Sequence, residues 1–197
     1  MMNKILLIII FPTLILFSGC VEFMAFQGPK VLSPDKHQIG FGLVKIPEYE
    51  DDGLVGNIQY RKGLVENVDC GIQLILPLNE HNDDFEYKYF QVDYKHQLKY
   101  NPDFSYSLSL VIPHSNEEGF EDIAFNPMGI LGYKDFYIGH KRLIQDFEFS
   151  EDNIKTIFFG YEFNVTDKIS FRPEINLAFV EFSEKYESFG FAFEVHN

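Results

Sequence analysis

The sequence predicts an all-β fold, an antiparallel up-and-down β-barrel of about ten strands. Three observations predict it: apolar and polar residues alternate with period 2 after residue 37, short turns alternate with longer connections, and the longer connections are acidic. Eight to twelve strands are compatible with the pattern. Residues 38–46 and 123–144 are glycine-rich and mixed, and Pro127 lies within a predicted strand, which allows for bulges.

The alternation divides each strand into an apolar face and a polar face, because successive side chains of a strand point to opposite sides. In residues 169–179 one face carries Ile169, Phe171, Pro173, Ile175, Leu177 and Phe179, and the other carries Ser170, Arg172, Glu174, Asn176 and Ala178. The same rule holds in residues 57–64, 68–76, 90–99, 104–112, 156–165 and 188–195. Periodicity alone does not say which face of the strands contacts water, so a soluble sandwich is the alternative to a membrane barrel.

The polar faces contain charged residues of both signs, which cannot stay unpaired in a dry core. In a narrow barrel such groups can pair across the lumen. We therefore predict a polar network in the lumen formed by Arg61, Asp93, Lys95, Glu162, Arg172 and Glu174.

The connections predict two barrel ends of opposite charge. Short turns are predicted at 64–67, 100–103, 132–135 and 164–168, each with a lysine beside it: Lys62, Lys99, Lys134 and Lys168. The longer connections at 47–53, 78–86, 114–122, 145–153 and 181–187 hold most of the 30 Asp and Glu. Because carboxylates are preferred ligands of Ca²⁺ and Mg²⁺, we expect weak divalent-cation binding there, with candidates Asp83, Asp84, Glu117, Glu118 and Asp152. The alternative is that these acids only keep the exposed end soluble.

The N-terminus predicts export. Lys4, an apolar run from Ile5 to Phe17, and Ser18-Gly19-Cys20 form a segment too short for a spanning helix. It resembles the signal peptide of bacterial lipoprotein precursors, which implies acylation of Cys20. An ordinary signal peptide remains the alternative. The predicted organisation is a signal peptide at 1–19, a lipid-anchored linker at 20–37 and a β-barrel domain at 38–197.

Composition narrows the function classes. The formal net charge of −14 argues against nucleic acid as a partner. If Cys20 is acylated, Cys70 has no partner and no intramolecular disulfide forms. The 22 Phe and 11 Tyr suit lipid-facing strands and interface girdles, although phenylalanine-rich soluble cores also exist.

Two segments resemble small bacterial outer-membrane β-barrel proteins of the OmpA and OmpW type. Residues 56–71 look like one of their hairpins, in which an aromatic strand meets a short polar turn and restarts with Asp-x-Gly. The end of the chain resembles their insertion signal at Ser188, Gly190, Phe193 and Val195. The resemblance implies outer-membrane location, contact with outer-membrane lipids and recognition by the barrel assembly machinery.

No catalytic residue or cofactor is predicted. His114-Ser115-Asn116 is similar to the motif of outer-membrane lipid A deacylases but has the wrong spacing, since adjacent strand residues face opposite ways. His81 with Asp83 and Asp84 is similar to the omptin proteases, whose long projecting strands this chain lacks. The first function hypothesis is a structural or anchoring barrel with a plugged, ion-paired lumen. The alternatives are a small selective channel, or a soluble periplasmic ligand-binding barrel held by its lipid.

Overall fold

The computed structural model describes residues 26–46, 53–78, 88–98, 101–115, 119–120, 123–144, 154–180 and 184–197. These residues form twelve strand segments: β1 His37–Ile46, β2 Gly53–Val65, β3 Val68–Pro77, β4 Lys88–Leu98, β5 Asn101–Ser115, β6 Gly119–Phe120, β7 Ala124–Tyr133, β8 Phe136–Arg142, β9 Lys155–Tyr161, β10 Phe163–Asn164, β11 Ile169–Val180 and β12 Glu184–His196. The described residues contain no helix with the length and hydropathy needed to cross a bilayer.

The strands close into a ten-stranded antiparallel barrel, which confirms the predicted fold class. Each barrel strand pairs with its neighbours in sequence, and β12 pairs with β1 to close the ring. Segments β9 and β10 are successive parts of one barrel strand, interrupted at Glu162, and both pair with β11. Segment β6 lies outside the ring and pairs only with the end of β5 among the described residues.

The strand bounds differ from the predicted connections at two long loops. The predicted connection 181–187 is too long, because β11 and β12 stay paired up to Val180 and Glu184. The predicted connection 114–122 contains the end of β5 and all of β6. Hairpin pairing continues beyond the apolar alternation in both places, so hydrophobic periodicity does not mark the strand ends.

The two glycine-rich segments also form regular barrel strands. Pro127 lies within β7 opposite Leu108 of β5, and the inward and outward positions of β7 alternate through it. Register shifts occur elsewhere, between Gly63 and Val65 and between Gln97 and Leu98, next to two of the short turns.

The barrel has a polar interior and an apolar exterior. Large apolar side chains on the outside are well exposed, including Phe41 at 54%, Leu131 at 48% and Phe193 at 47%. The inward positions hold buried polar and charged residues on almost every strand. This is the opposite of a water-soluble protein, in which polar faces meet water and apolar faces meet each other.

Candidate functional site in the barrel lumen

The lumen of the barrel is occupied by the chain segment that precedes β1. Phe26, Gln27, Gly28 and Pro29 are buried, and residues 33–36 turn at the short-turn end of the barrel before β1 begins. At that turn Asp35 has a positive φ of 62°, and the Gly63 amide donates to the Lys36 carbonyl at 2.9 Å. We call residues 26–32 the lumenal segment.

The first of two charge clusters lies on β2, β3 and β4. The Arg61 guanidinium bonds both Asp69 and Asp93, with 3.0 Å from Nη1 to Asp93 Oδ2. The Lys95 ammonium lies 3.6 Å from Asp69 Oδ2. All four side chains are buried, so each charge is offset by neighbours rather than by bulk water.

This first cluster also holds the backbone of the lumenal segment. Lys95 Nζ donates to the carbonyls of Lys30 at 2.9 Å and Gly28 at 3.3 Å. The Leu32 amide donates to Asp69 Oδ2 at 2.9 Å. A charged hydrogen-bonding partner strengthens such bonds, so the cluster fixes residues 28–32 against one wall.

The second cluster surrounds Arg172 on β11. Its guanidinium donates to Glu194 Oε1 at 2.6 Å and to Glu162 Oε2 at 2.9 Å. By the β9/β10–β11 register, Glu162 faces Arg172 at the point where that barrel strand is interrupted. Glu194 is fully buried and also accepts bonds from Gln59 and Ser170.

The second cluster bonds both backbone groups of Phe26, at the N-terminal end of the lumenal segment. Arg172 Nη1 donates to the Phe26 carbonyl at 2.6 Å, and the Phe26 amide donates to Glu174 Oε2 at 3.1 Å. Tyr137 donates its hydroxyl to the same Glu174 oxygen at 3.0 Å. The peptide groups of Phe26 thus join a network that spans β8, β9/β10, β11 and β12.

Inward glycines leave the space that the segment fills. A Cβ at Gly132 would lie 2.3 Å from Pro29 Cγ, and one at Gly42 would lie 2.6 Å from Phe26 Cε2. A Cβ at Gly63 would lie 2.0 Å from the Ser33 carbonyl oxygen. Three strands therefore lack side chains where residues 26–33 make close contact.

The Phe26 ring packs in an apolar part of the lumen. It lies with Val44, Val55, Ile75 and Ala192, from β1, β2, β3 and β12. Burial of an aromatic side chain adds a favourable term of about 2 kcal/mol, which supplements the polar bonds to its backbone.

The structure places all six residues of the predicted lumen network inside the barrel. It brings them together in two clusters, with Asp69 and Glu194 as further carboxylates on inward positions. Tyr137 and the lumenal segment were missed, because neither belongs to an alternating polar face. The glycines at inward positions are the only sequence signal that points to the segment.

The other predicted site residues lie in separate places. In β12, Ser188 and Gly190 face the lumen, while Phe193 and Val195 are exposed on the outside. Cys20, Asp83, Asp84, Glu117, Glu118 and Asp152 lie outside the described residues. Within the described part of the chain, no group of three His, Cys, Asp or Glu is placed to hold a metal ion.

No protein-family model matches this chain, and no curated protein matches it in sequence. Among solved structures, the chain is similar to one titled KdgM porin, with a TM-score of 0.45 and 7% sequence identity. The alignment covers 80% of this chain and 98% of that chain.

Replacing Arg172 by glutamine is predicted to destabilise the folded protein. Glu194 and Glu162 would lose their guanidinium partner, and leaving a buried charge unpaired costs about 3 kcal/mol or more. The free energy of unfolding is measured by urea denaturation in detergent micelles, with Lys62→Gln, a charge change outside the lumen, as the matched control. Equal stability of Arg172→Gln and Lys62→Gln would contradict the role given to Arg172.

Proposed function

We propose that this protein is an outer-membrane β-barrel whose lumen is closed by its own N-terminal segment, and that it has a structural or anchoring role there. The observation that carries the proposal is the attachment of the lumenal segment to both charge clusters through its backbone. A solute path through the barrel would have to displace this segment.

The exterior supports a membrane location. Outward aliphatic and aromatic side chains such as Ile58, Leu74 and Leu110 are exposed on many strands. In water each exposed apolar Å² costs about 25 cal/mol, whereas hydrocarbon removes that cost. The closed ring also satisfies strand backbone groups internally, as a spanning structure must.

Aromatic residues strengthen this interpretation at the short-turn end. Phe136 packs against Tyr161 with ring centroids 4.5 Å apart, and Tyr161 packs against Phe163 at 4.2 Å. The row continues through Phe171 to Phe193 at 5.0 Å. Such a group of outward rings near one barrel end is typical of an aromatic girdle at a membrane interface.

The size and the contents of the lumen support a closed barrel rather than an open diffusion pore. A barrel of about ten strands encloses little more space than its own side chains need. In this barrel the lumen also holds four buried residues of the lumenal segment, Phe26, Gln27, Gly28 and Pro29. Acylation of Cys20, as expected from the lipoprotein-like signal, would add a second attachment to the membrane.

Membrane fractionation of the Cys20→Ala variant tests the location. We expect the variant to stay in the membrane fraction and to need detergent for extraction, because the barrel exterior holds it there without a lipid. Wild-type protein is the control. Recovery of the variant in the aqueous phase would contradict the proposal and would support a soluble periplasmic barrel held by its lipid.

Planar-bilayer recording tests the closure. Wild-type protein is expected to show no steady conductance, and deletion of residues 26–32 is expected to produce one, because water replaces the segment around the lumen charges. Heat-modifiable migration in gels checks that both proteins are folded. Steady conductance of the wild type, with an ion selectivity that changes in Arg172→Ala, would favour the small selective channel instead.

A further inference from the structure

An inward polar layer, with members on β5, β7, β8, β9 and β11, lies beside two apolar clusters. Nearer the short turns lies the cluster of Met128, Ile130, Tyr137 and Phe158, and nearer the long loops lies the cluster of Val111, Ala124 and Leu143. On β8 the inward residue between them is Lys141, which is only 2% exposed.

Lys141 differs from the other buried lumen cations in its surroundings. Arg61, Lys95 and Arg172 each contact at least one carboxylate. Among the described residues, Lys141 makes no hydrogen bond or ion pair. A buried ammonium needs a counter-charge or hydrogen-bond acceptors, because desolvation without them costs several kcal/mol.

The residues around Lys141 add buried polar atoms that also lack a partner. Thr156 lies directly opposite Lys141 on β9, and Met128 lies opposite it on β7. Asn126 is the diagonal neighbour on β7, Ser107 of β5 pairs with Met128 on one side and Lys95 on the other, and Asn176 of β11 pairs with Phe158 of β9. Within the part of the chain that the structure describes, no hydrogen-bond partner is found for the hydroxyls of Ser107 and Thr156, for Asn126 Oδ1, or for either amide atom of Asn176.

We propose that this layer is a binding site for one small oxyanion, a carboxylate or a phosphate. Lys141 would supply the positive charge, and the hydroxyls of Thr156 and Ser107 and the amide of Asn176 would donate hydrogen bonds to the oxygens. Buried polar groups in proteins almost always have partners, so unpartnered hydroxyl and amide groups beside a buried ammonium indicate a missing ligand. Water alone would satisfy the hydroxyls but would not neutralise Lys141 between two apolar clusters.

This site is independent of the proposed closure of the barrel. Its side chains, on β5, β7, β8, β9 and β11, are not those that bond the lumenal segment, which include Asp69, Lys95, Arg172 and Glu174. Anion binding therefore goes beyond the anchoring role, and the two proposals fail separately.

Thermal unfolding of the full-length protein in detergent, titrated separately with sodium acetate and sodium phosphate, tests the site. Ionic strength is kept constant with the sodium salt of a bulky sulfonate buffer. A ligand of the folded state raises the melting temperature, and at ten times the dissociation constant a rise of about 3 to 6 °C is expected. The anion that saturates at lower concentration identifies the site as a carboxylate or a phosphate site.

Two variants and one control assign the effect to the layer. Lys141→Met should abolish the rise, and Thr156→Val, which keeps the shape of the side chain, should weaken the anion at least fivefold. Lys168→Met removes an exposed lysine at a short turn and should leave the rise unchanged. If neither anion raises the melting temperature of the wild type, or if Lys141→Met responds like the wild type, the proposal is wrong. Should Lys141→Met fail to fold, an unchanged response of Thr156→Val would overturn it equally.

Discussion

The bond between the Arg172 guanidinium and the Phe26 carbonyl is the contact on which the interior of this barrel depends. A guanidinium buried among carboxylates is tolerated only when its donors have partners, and Arg172 finds them in Glu194, Glu162 and the main chain of residue 26. Because one of these partners is the Phe26 carbonyl, the Arg172 charge has all its partners only when the N-terminal segment is in place. Without the segment Arg172 would lose this acceptor, and without Arg172 the Phe26 carbonyl would lose this donor.

The same requirement is met a second time on the opposite wall. Lys95 is close to Asp69 but also bonds two carbonyls of the lumenal segment, and Asp69 accepts the Leu32 amide. The segment thus lies between two groups of charges and bonds both. Gly42, Gly63 and Gly132 leave space for the N-terminal residues, so the shape of the lumen and its charges both favour this position of the segment. The exterior follows from the interior: with the charged positions turned inward, period 2 turns the apolar positions outward.

Much of this arrangement could be predicted from the sequence. The alternation in residues 169–179 placed Arg172 and Glu174 on one face and Phe171 on the other, and the barrel has them so. Local periodicity carries that information because a strand has only two faces. It also sufficed to place Asp93 and Lys95 together on one face of β4, which the structure turns inward.

The rest depended on contacts between residues far apart in the chain. Residues 26–32 show no alternation and read as a linker, yet Phe26 bonds residues 146 and 148 positions away. The sequence pattern of β8 around Lys141 does not differ in kind from that of β4 around Lys95. The different surroundings of the two lysines follow from which strands the closed ring places beside them. The strand ends, likewise, depended on hairpin pairing that continues past the apolar alternation.

A disulfide cross-link between Pro29→Cys and Gly132→Cys tests the central claim, that the N-terminal segment lies inside the lumen. An ideal Cβ at position 132 lies 3.2 Å from Pro29 Cβ, close to the spacing that disulfides need. In a background of Cys20→Ala and Cys70→Ser, oxidation should cross-link this pair in the folded protein, as judged by mass spectrometry of proteolytic fragments. The control pair Pro29→Cys with Gly129→Cys has its second position on the outward face of the same strand and should remain reduced. Cross-linking of the 29/132 pair alone is the predicted result, and a 29/132 pair that stays reduced in the folded barrel would contradict the account.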